Sequence, residues 1–370
     1  MAEEEEAAAG DGGGWPEPVV RVQSLSESGA STIPARYIKP AHDRPTHSAT
    51  SISIPVVDLS SSSTSSTAAA CREWGFFQAV NHGVPLDLLR RARATWRAFF
   101  SQLPLEAKQR YANSPDTYEG YGSRLGVQQG ASLDWGDYFF LHLSPPRAAS
   151  PSDKWPHFPP DLRETTEEYG REVAKLCGRL MAAMSAGLGV GEGRMAEEFG
   201  GEDEAGACVR VNYYPRCPQP ELTLGLSSHS DPGGMTVLLA DEHVKGLQVR
   251  CPGGAGDGGE DEWVTVDPLP GALIVNVGDQ IQVLTNAEYR SVEHRVMANA
   301  GAERLSVALF YNPRSDIPLS PMPELVSLPE KPPLYEPMTY DQYRLYIRRE
   351  GPQGKAQVDS LKASSSQERP

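Results

Sequence analysis

Two histidines and one aspartate have the residue types and the spacing of a metal site. His229 and Asp231 lie in the segment SSHSDPGGMTVLL, and His294 lies in SVEHRVM. Side chains two residues apart on a β-strand leave the same face, so His229 and Asp231 can reach one ion. Two imidazoles and a carboxylate are a ligand set typical of a non-heme Fe(II) centre, whose other side stays open. The sequence therefore predicts an iron site that can also take a small cosubstrate and O2.

An arginine and a serine follow in the segment ERLSVALFYN. Arg304 and Ser306 are again two residues apart, so both side chains face the same side of a predicted strand. The planar guanidinium offers a fork of donors that suits a carboxylate, and a hydroxyl can add to it. We therefore expect this pair to bind a second carboxylate near the metal.

Other polar residues favour the same side of the fold. Arg210, Asn212 and Tyr214 share one face of VRVNYYP, where the latter two could donate to a bound 2-oxo acid. A buried Arg210 would need an anion. Arg344 and Arg348 in QYRLYIR have the spacing of neighbours on a helix. Each also has an ordinary explanation, as a hydrogen-bonded strand or as cations near a helix C-terminus.

Hydrophobic periodicity indicates which elements position these residues. From Cys208 onward the period is two, in the segments VRVNYY, TVLLA, GLQVR, EWVTVD, ALIVNVGDQIQVLT, HRVMA and LSVALFYN. Short strands separated by turn residues are typical of an all-β barrel or jelly roll. Helical spacing over 86–112, 161–189 and MTYDQYRLYIRREG predicts flanking helices. We expect an α+β fold with a mostly β core, arranged as a distorted double-stranded β-helix.

Composition limits the function classes. The chain has 370 residues, a net charge of −15 and a pI near 5.0, which argues against a nucleic-acid partner because such binding needs a basic face. The acidic start is no secretory signal, and no apolar run approaches membrane-spanning length. Five scattered cysteines suggest neither a disulfide framework nor a zinc site. We expect a monomer in the cytoplasm, with the nucleus also open.

The chain divides into five predicted segments: a disordered acidic tail (1–14), a region of helices and strands that join the barrel (15–200), the metal and cosubstrate core (201–320), a helix closing the pocket (321–353) and a loose tail (354–370). The Gly-rich stretch 251–261 is expected to be a mobile hairpin loop. The Ser-rich stretch 60–70 suggests a shortened or frayed helix.

Several motifs together resemble those of plant 2-oxoglutarate- and Fe(II)-dependent dioxygenases of the isopenicillin N synthase-like superfamily. They are IPVVDLS, CREWGFFQAVNHGV, RVNYYPRCPQPELTLGLSSHSDPGGMTVLL, VNVGDQIQVLTN, SVEHRV and ERLSVALFYNP, and the resemblance covers about residues 15–355. Within that superfamily the chain is most similar to the jasmonate-induced oxygenases. The closest segments are RVQSLSESGASTIPARYIKP, TYEGYGSRLGV and PMTYDQYRLYIRREGPQGK.

The resemblance implies an enzyme that hydroxylates jasmonic acid at carbon 12 with Fe(II), 2-oxoglutarate and O2, and with ascorbate as reductant. It implies iron ligands His229, Asp231 and His294, and it implies that 2-oxoglutarate is bound by Arg304, Ser306, Asn212 and Tyr214. It places the substrate carboxylate on Arg210, Arg344 and Arg348 and makes Phe310 a wall of the apolar pocket, although core packing explains Phe310 equally well.

Other functions stay open at this stage. A flavonoid oxidase resembling anthocyanidin synthase would use the same chemistry, but a neutral flavonoid has no need of three arginines. A gibberellin oxidase is not excluded by charge, because gibberellins are carboxylic acids. A ligand-binding protein without catalysis is disfavoured by the complete set of predicted metal ligands.

Overall fold

Two β-sheets provide the frame of the molecule. The computed structural model describes residues 19–45, 53–60, 63–113, 119–123, 132–201, 203–251, 262–351 and 354–362. The strands are β1 Val56–Asp58, β2 Phe76–Val80, β3 Gly120–Gly122, β4 Asp137–Ser144, β5 Gly206–Tyr214, β6 Leu224–His229, β7 Met235–Leu239, β8 Leu247–Cys251, β9 Glu262–Thr265, β10 Leu273–Val277, β11 His294–Met297, β12 Arg304–Asn312, β13 Pro318–Leu319 and β14 Met338–Thr339. The larger sheet has the order β1-β2-β10-β7-β12-β5-β4-β3, the smaller one has β6-β11-β8-β9, and β13 pairs with β14.

Helices flank these sheets. They are α1 Val22–Glu27, α2 Thr64–Glu73, α3 Leu86–Gln102, α4 Leu105–Gln109, α5 Leu162–Gly187, α6 Arg194–Glu198, α7 Asp279–Leu284, α8 Tyr340–Glu350 and α9 Ala356–Asp359. Short 3-10 turns lie at Ala35–Tyr37, Pro146–Ala148, Ser152–Lys154, Pro220–Leu222 and Pro323–Leu325. The predicted α+β class with a mostly β core and a jelly-roll arrangement is confirmed.

Strand alternation separates the core from a cavity. On β5, Val209 and Val211 belong to the main apolar cluster shared with α3 and α5, whereas Arg210 and Asn212 line the cavity on the other face. The same alternation on β12 buries its odd-numbered residues in that cluster. Burial of one apolar face stabilises the sheet by about 25 cal/mol per Å² of apolar surface removed from water. The opposite face places polar side chains in the cavity.

The helical pattern over 86–112 is interrupted in the structure. Leu103 has an extended backbone (φ −81°, ψ 128°), so α3 ends at Gln102 and α4 begins at Leu105. Pro104 explains the break, because its ring disfavours a helical conformation of the preceding residue and it has no backbone N–H to donate.

The segment ALIVNVGDQIQVLT is a strand in only its first half. The backbone turns at Gly278 and continues as α7. A Cβ at Gly278 would lie 2.3 Å from the carbonyl oxygen of Gly233, and the Gly278 N–H donates to the Gly234 carbonyl at 2.7 Å. Only glycine fits this close approach of two backbones, and the approach brings α7 beside the turn that carries Asp231.

The C-terminal part differs from the expected loose tail over residues 354–362. Val358 and Leu361 are buried in a small cluster with Val283, Tyr335 and Tyr343, so apolar burial orders this segment. The Gly354 N–H donates to the Ser228 carbonyl at 3.3 Å, beside the predicted ligand His229.

Other expectations concern residues with no structural description. The acidic tail 1–14, residues 252–261 of the Gly-rich loop and residues 363–370 lie outside the described ranges. The Ser-rich stretch contributes the first seven residues of α2, a helix of ten residues. Within the described ranges, no helix is long and apolar enough to cross a membrane.

Candidate metal and cosubstrate site

The three predicted metal ligands meet between the two sheets. His229 ends β6, Asp231 lies in the turn that follows, and His294 begins β11 opposite His229 in the strand register. Asp231 Oδ1 lies 3.6 Å from His229 Nε2 and 3.7 Å from His294 Nε2. One atom from each side chain lies within 4.8 Å of the other two, which is close enough for all three to bind one ion.

Backbone carbonyls orient both imidazoles toward that point. His229 Nδ1 lies 2.8 Å from the Ser227 carbonyl, and His294 Nδ1 lies 3.2 Å from the Val292 carbonyl. A carbonyl only accepts, so Nδ1 carries the proton and Nε2 keeps its lone pair for a metal. Burial lowers the pKa of His229 to about 4, which keeps its imidazole neutral near pH 7.

Asp231 is held by two residues that the sequence analysis missed. Its Oδ2 accepts hydrogen bonds from Thr236 Oγ1 at 2.5 Å and from Asn276 Nδ2 at 2.8 Å. Burial alone would raise the pKa of Asp231, but the two histidines and these hydrogen bonds more than offset burial, and its pKa is lowered. The carboxylate therefore stays charged and presents Oδ1 to a metal.

Arg304 is a buried cation without a carboxylate partner. It is 3% exposed, its Nη1 donates to Ser306 Oγ at 3.2 Å, and its Nε has no hydrogen-bond partner. No carboxylate of the described residues lies within ion-pair distance of it. Burial lowers the pKa of its guanidinium. A buried, incompletely satisfied guanidinium indicates a site for an anion from outside the chain.

The predicted neighbours on β5 lie against this arginine. Tyr214 pairs with Arg304 across the strands, and Asn212 pairs with Ser306. The guanidinium carbon of Arg304 lies 5.4 Å from the centre of the Tyr214 ring. Asn212 Oδ1 accepts from Arg210 Nε at 2.7 Å, and Asn212 lines the same cavity as Arg304.

All four predicted substrate residues line the same cavity, whose volume is about 650 Å³. Arg210 stacks on the Tyr138 ring with its guanidinium carbon 4.2 Å from the ring centre. Arg344 is more loosely placed, since its side chain is 48% exposed and pairs with Asp341 at 3.0 Å. Arg348 and Phe310 are half-buried in the wall. The cavity also contains His229, Asp231, His294, Arg304 and Ser306.

A buried carboxylate outside the predicted set connects the metal centre to α8. Asp279 accepts from Ser230 Oγ at 3.1 Å, from Ser291 Oγ at 2.6 Å and from Tyr343 OH at 2.7 Å. Burial raises its pKa despite the nearby Lys355 and these hydrogen bonds. Ser230 lies between two predicted metal ligands, and Tyr343 precedes Arg344. The Gly-Asp-Gln sequence directly after β10, a strand buried along its whole length, was the available signal for this residue.

The donor set fits iron and a dicarboxylate cosubstrate. Two imidazoles and one carboxylate on a single side of the site are the protein ligands of a non-heme Fe(II) centre. The partly satisfied guanidinium of Arg304 fits the far carboxylate of 2-oxoglutarate, with Ser306 as a second donor. The arrangement can therefore support oxidation of an organic substrate bound in the same cavity.

Comparison with known proteins identifies the family. A family model of the 2OG-Fe(II) oxygenase superfamily matches residues 205–313, and the N-terminal model of a non-haem dioxygenase in morphine synthesis matches residues 54–162. Jasmonate-induced oxygenase 2 of Arabidopsis thaliana is 56% identical over 359 residues, which cover 94% of each chain. Jasmonate-induced oxygenase 4 of the same plant is 56% identical over 94% of this chain and 98% of its own length.

Solved structures agree with these relatives. A crystal structure of JOX2 in complex with 2-oxoglutarate, Fe and jasmonic acid has a TM-score of 0.87 and 57% identity over 94% of this chain and 99% of that one. A rice dioxygenase for auxin oxidation has a TM-score of 0.69 and 32% identity over 84% of this chain and 100% of that one. The chain therefore belongs to the 2OG-Fe(II) oxygenase superfamily and, within it, is similar to jasmonate-induced oxygenases. The predicted enzyme class and the dependence on Fe(II) and 2-oxoglutarate are confirmed.

Proposed function

We propose that the protein hydroxylates jasmonic acid to 12-hydroxyjasmonic acid and thereby lowers jasmonate signalling. The observation that carries this proposal is that Arg210, Arg344 and Arg348 line the cavity of the metal ligands. Three cations around one cavity suit a carboxylate substrate. Identity of 52–56% to four jasmonate-induced oxygenases, and likeness to JOX2 in complex with jasmonic acid, support the choice of acid.

We assign the cofactor roles by the contacts described above. His229, Asp231 and His294 hold Fe(II), Arg304 and Ser306 hold the far carboxylate of 2-oxoglutarate, and Asn212 and Tyr214 lie beside it. When bound, the iron and 2-oxoglutarate supply an oxidant that inserts one atom of O2 into a C–H bond, while the other atom leaves in succinate with release of CO2.

The chain itself positions the substrate. Asn212 and Tyr138 fix the guanidinium of Arg210 before any substrate arrives, so little ordering is lost when a carboxylate binds. Arg344 and Arg348 come from α8, whose N-terminus is fixed by a capping box at Thr339. Phe310 forms part of an apolar wall that directs the rest of the acid toward the metal and excludes water.

We make further assignments on the same basis. Residues 201–320 form the Fe(II)/2-oxoglutarate core, and residues 321–353 close the pocket. Ascorbate keeps the iron reduced, and the protein acts as a monomer in the cytoplasm or the nucleus. A reducing compartment is supported by five cysteines that are all buried and free.

Turnover of jasmonic acid tests the proposal directly. Purified protein with Fe(II), ascorbate, 2-oxoglutarate and jasmonic acid should give a product one oxygen heavier by mass spectrometry, oxidised at carbon 12 by NMR. Arg348→Ala should raise KM for the acid because it removes a cation from the cavity. Arg349→Ala is the matched control, since Arg349 is exposed on the same helix and does not line the cavity.

The outcomes separate the alternatives. Equal KM values for Arg348→Ala and Arg349→Ala would contradict the assignment of Arg348 to the substrate carboxylate. Succinate formation without a jasmonate product would keep the oxygenase class and contradict the substrate, in which case gibberellins and flavonoids are assayed next. A protein that takes up no iron would contradict the whole proposal and favour a ligand-binding role.

A further inference from the structure

One row of paired residues crosses the cavity from the metal centre to β4. Asn276 pairs with Thr236, Thr236 with Phe310, Phe310 with Cys208, and Cys208 with His142. All five side chains line the cavity. The row therefore begins at the residues that hold Asp231 and ends at an imidazole that has no role in the site described above.

His142 is held in place without use of its ring nitrogens. Its backbone N–H donates to Ser150 Oγ at 2.8 Å, and its carbonyl accepts from the Ser150 N–H at 2.9 Å. Its ring lies edge-on to Phe140 with centroids 5.0 Å apart. Among the described residues, neither ring nitrogen has a hydrogen-bond partner. A half-buried polar ring with no internal partner, facing a cavity, indicates contact with a ligand.

The surroundings of His142 are those of the proposed acid-binding end. Phe140, two residues away on the same face, pairs directly with Arg210. Burial lowers the pKa of His142, Glu119 opposes that effect, and Arg344 adds to it. Arg344 and Arg210 line the same cavity as His142. A neutral imidazole keeps one N–H to donate.

We propose that His142 is a substrate-binding residue that donates a hydrogen bond to the carboxylate of the acid held by Arg210, Arg344 and Arg348. This inference rests on the proposed function. A carboxylate offers about four acceptor positions, and Arg344 shares its donors with Asp341. The N–H of a neutral His142 imidazole supplies a further donor to the carboxylate. It adds no charge to the three arginines that already surround it.

Steady-state kinetics with jasmonic acid test this role in three variants. His142→Phe keeps an aromatic ring beside Phe140 and removes the N–H. We expect KM for jasmonic acid to rise by about 10- to 100-fold, the loss typical of one hydrogen bond to a charged group, with kcat within about twofold because the bond is made equally before and during reaction. His142→Asn restores a donor and should recover most of the affinity. His157→Phe is the control, because His157 is exposed and lies outside the cavity lining.

Each result has a defined meaning. Isothermal titration of 2-oxoglutarate into the Mn(II)-loaded protein should give equal affinities for the wild type and all three variants. Unchanged KM in His142→Phe would overturn the inference while jasmonate turnover by the wild type still stands. A parallel loss of kcat, acid affinity and 2-oxoglutarate affinity in both His142 variants would also overturn it, since only a structural role predicts that pattern. Absence of wild-type turnover would refute the proposed function itself.

Discussion

Replacement of Arg304 provides the sharpest test of the cosubstrate site. Its guanidinium is buried, donates to Ser306 at 3.2 Å and leaves Nε without a partner. A hydrogen bond to a charged group contributes about 1.5–3 kcal/mol, so two bonds to the far carboxylate of 2-oxoglutarate contribute about 3–6 kcal/mol. At about 1.4 kcal/mol per tenfold, Arg304→Met should weaken 2-oxoglutarate binding by about 10²- to 10⁴-fold.

A second substitution separates charge from geometry. Arg304→Lys keeps the cation and loses the planar fork, so we expect it to lose about one bond and weaken binding by about 10- to 100-fold. Affinity is measured by isothermal titration of 2-oxoglutarate into Mn(II)-loaded protein, which binds without turnover. Arg295→Met is the control, because Arg295 is equally buried but stacks on Trp263 outside the cavity lining.

Arg304→Met weakens 2-oxoglutarate binding but should not destabilise the protein when 2-oxoglutarate is absent. An unpaired buried cation costs stability, so Arg304→Met without 2-oxoglutarate should unfold at the same temperature as the wild type or at a higher one. Binding of 2-oxoglutarate within about threefold of the wild type in Arg304→Met would refute the assignment. A lower melting temperature of the free variant would refute the view that Arg304 is kept for its ligand.

Three other substitutions test the support around the site. Asn276→Ala should weaken Fe(II) binding by about 10- to 100-fold in a competition titration with a chelator, and unchanged affinity would refute its orienting role. Tyr343→Phe removes one of the three side-chain hydrogen bonds that the buried Asp279 accepts and should lower the free energy of unfolding in urea by about 1–3 kcal/mol; no change would mean that the hydrogen bond is dispensable. Burial opposes ionisation of Asp241, but hydrogen bonds from His243, Leu305 and Val244 lower its pKa below the ordinary value. The stability that ionised Asp241 contributes is present above its unfolded-state pKa and is lost as pH falls through its folded-state pKa. Asp241→Asn should therefore flatten the acid limb of the free energy of unfolding plotted against pH. An identical acid limb in the variant would contradict this role of Asp241.

The sequence reveals those parts of the site that lie within one strand. Arg304 with Ser306, and Asn212 with Tyr214, are two residues apart, and strand geometry alone places each pair on one face. The residues that support Asp231 were not predictable in this way. Asn276 is 45 residues away in sequence and reaches Oδ2 only because β10 pairs with β7, with Asn276 opposite Thr236. Sheet order is a long-range property, and the period of a single strand contains no information about it.

Pro104 indicates the helix break from the sequence alone, but the local sequence pattern does not predict the turn at Gly278. VNVGDQIQVL is apolar at positions that suit a strand and a helix alike, and short apolar runs do not distinguish the two. The deciding contact is the approach of Gly278 to the Gly233 carbonyl, two segments brought together by the fold. That contact also places Asp279 beneath Ser230, so the missed turn and the missed buried carboxylate have one cause.

Alternation along β12 connects catalysis to stability. Its odd-numbered residues, Leu305 to Leu309, are packed in the main apolar cluster, and its even-numbered residues carry Arg304, Ser306 and Phe310 into the cavity. A slip by one residue would move the guanidinium into the apolar cluster and the leucines into the cavity. Both consequences are costly, because a buried charge would lose its ligand and the apolar core would lose its packing. The hydrophobic pattern that forms the core therefore also selects the strand register that places Arg304 in the cavity. On β12, the alternation that stabilises the fold is sufficient to orient the residue that we assign to 2-oxoglutarate.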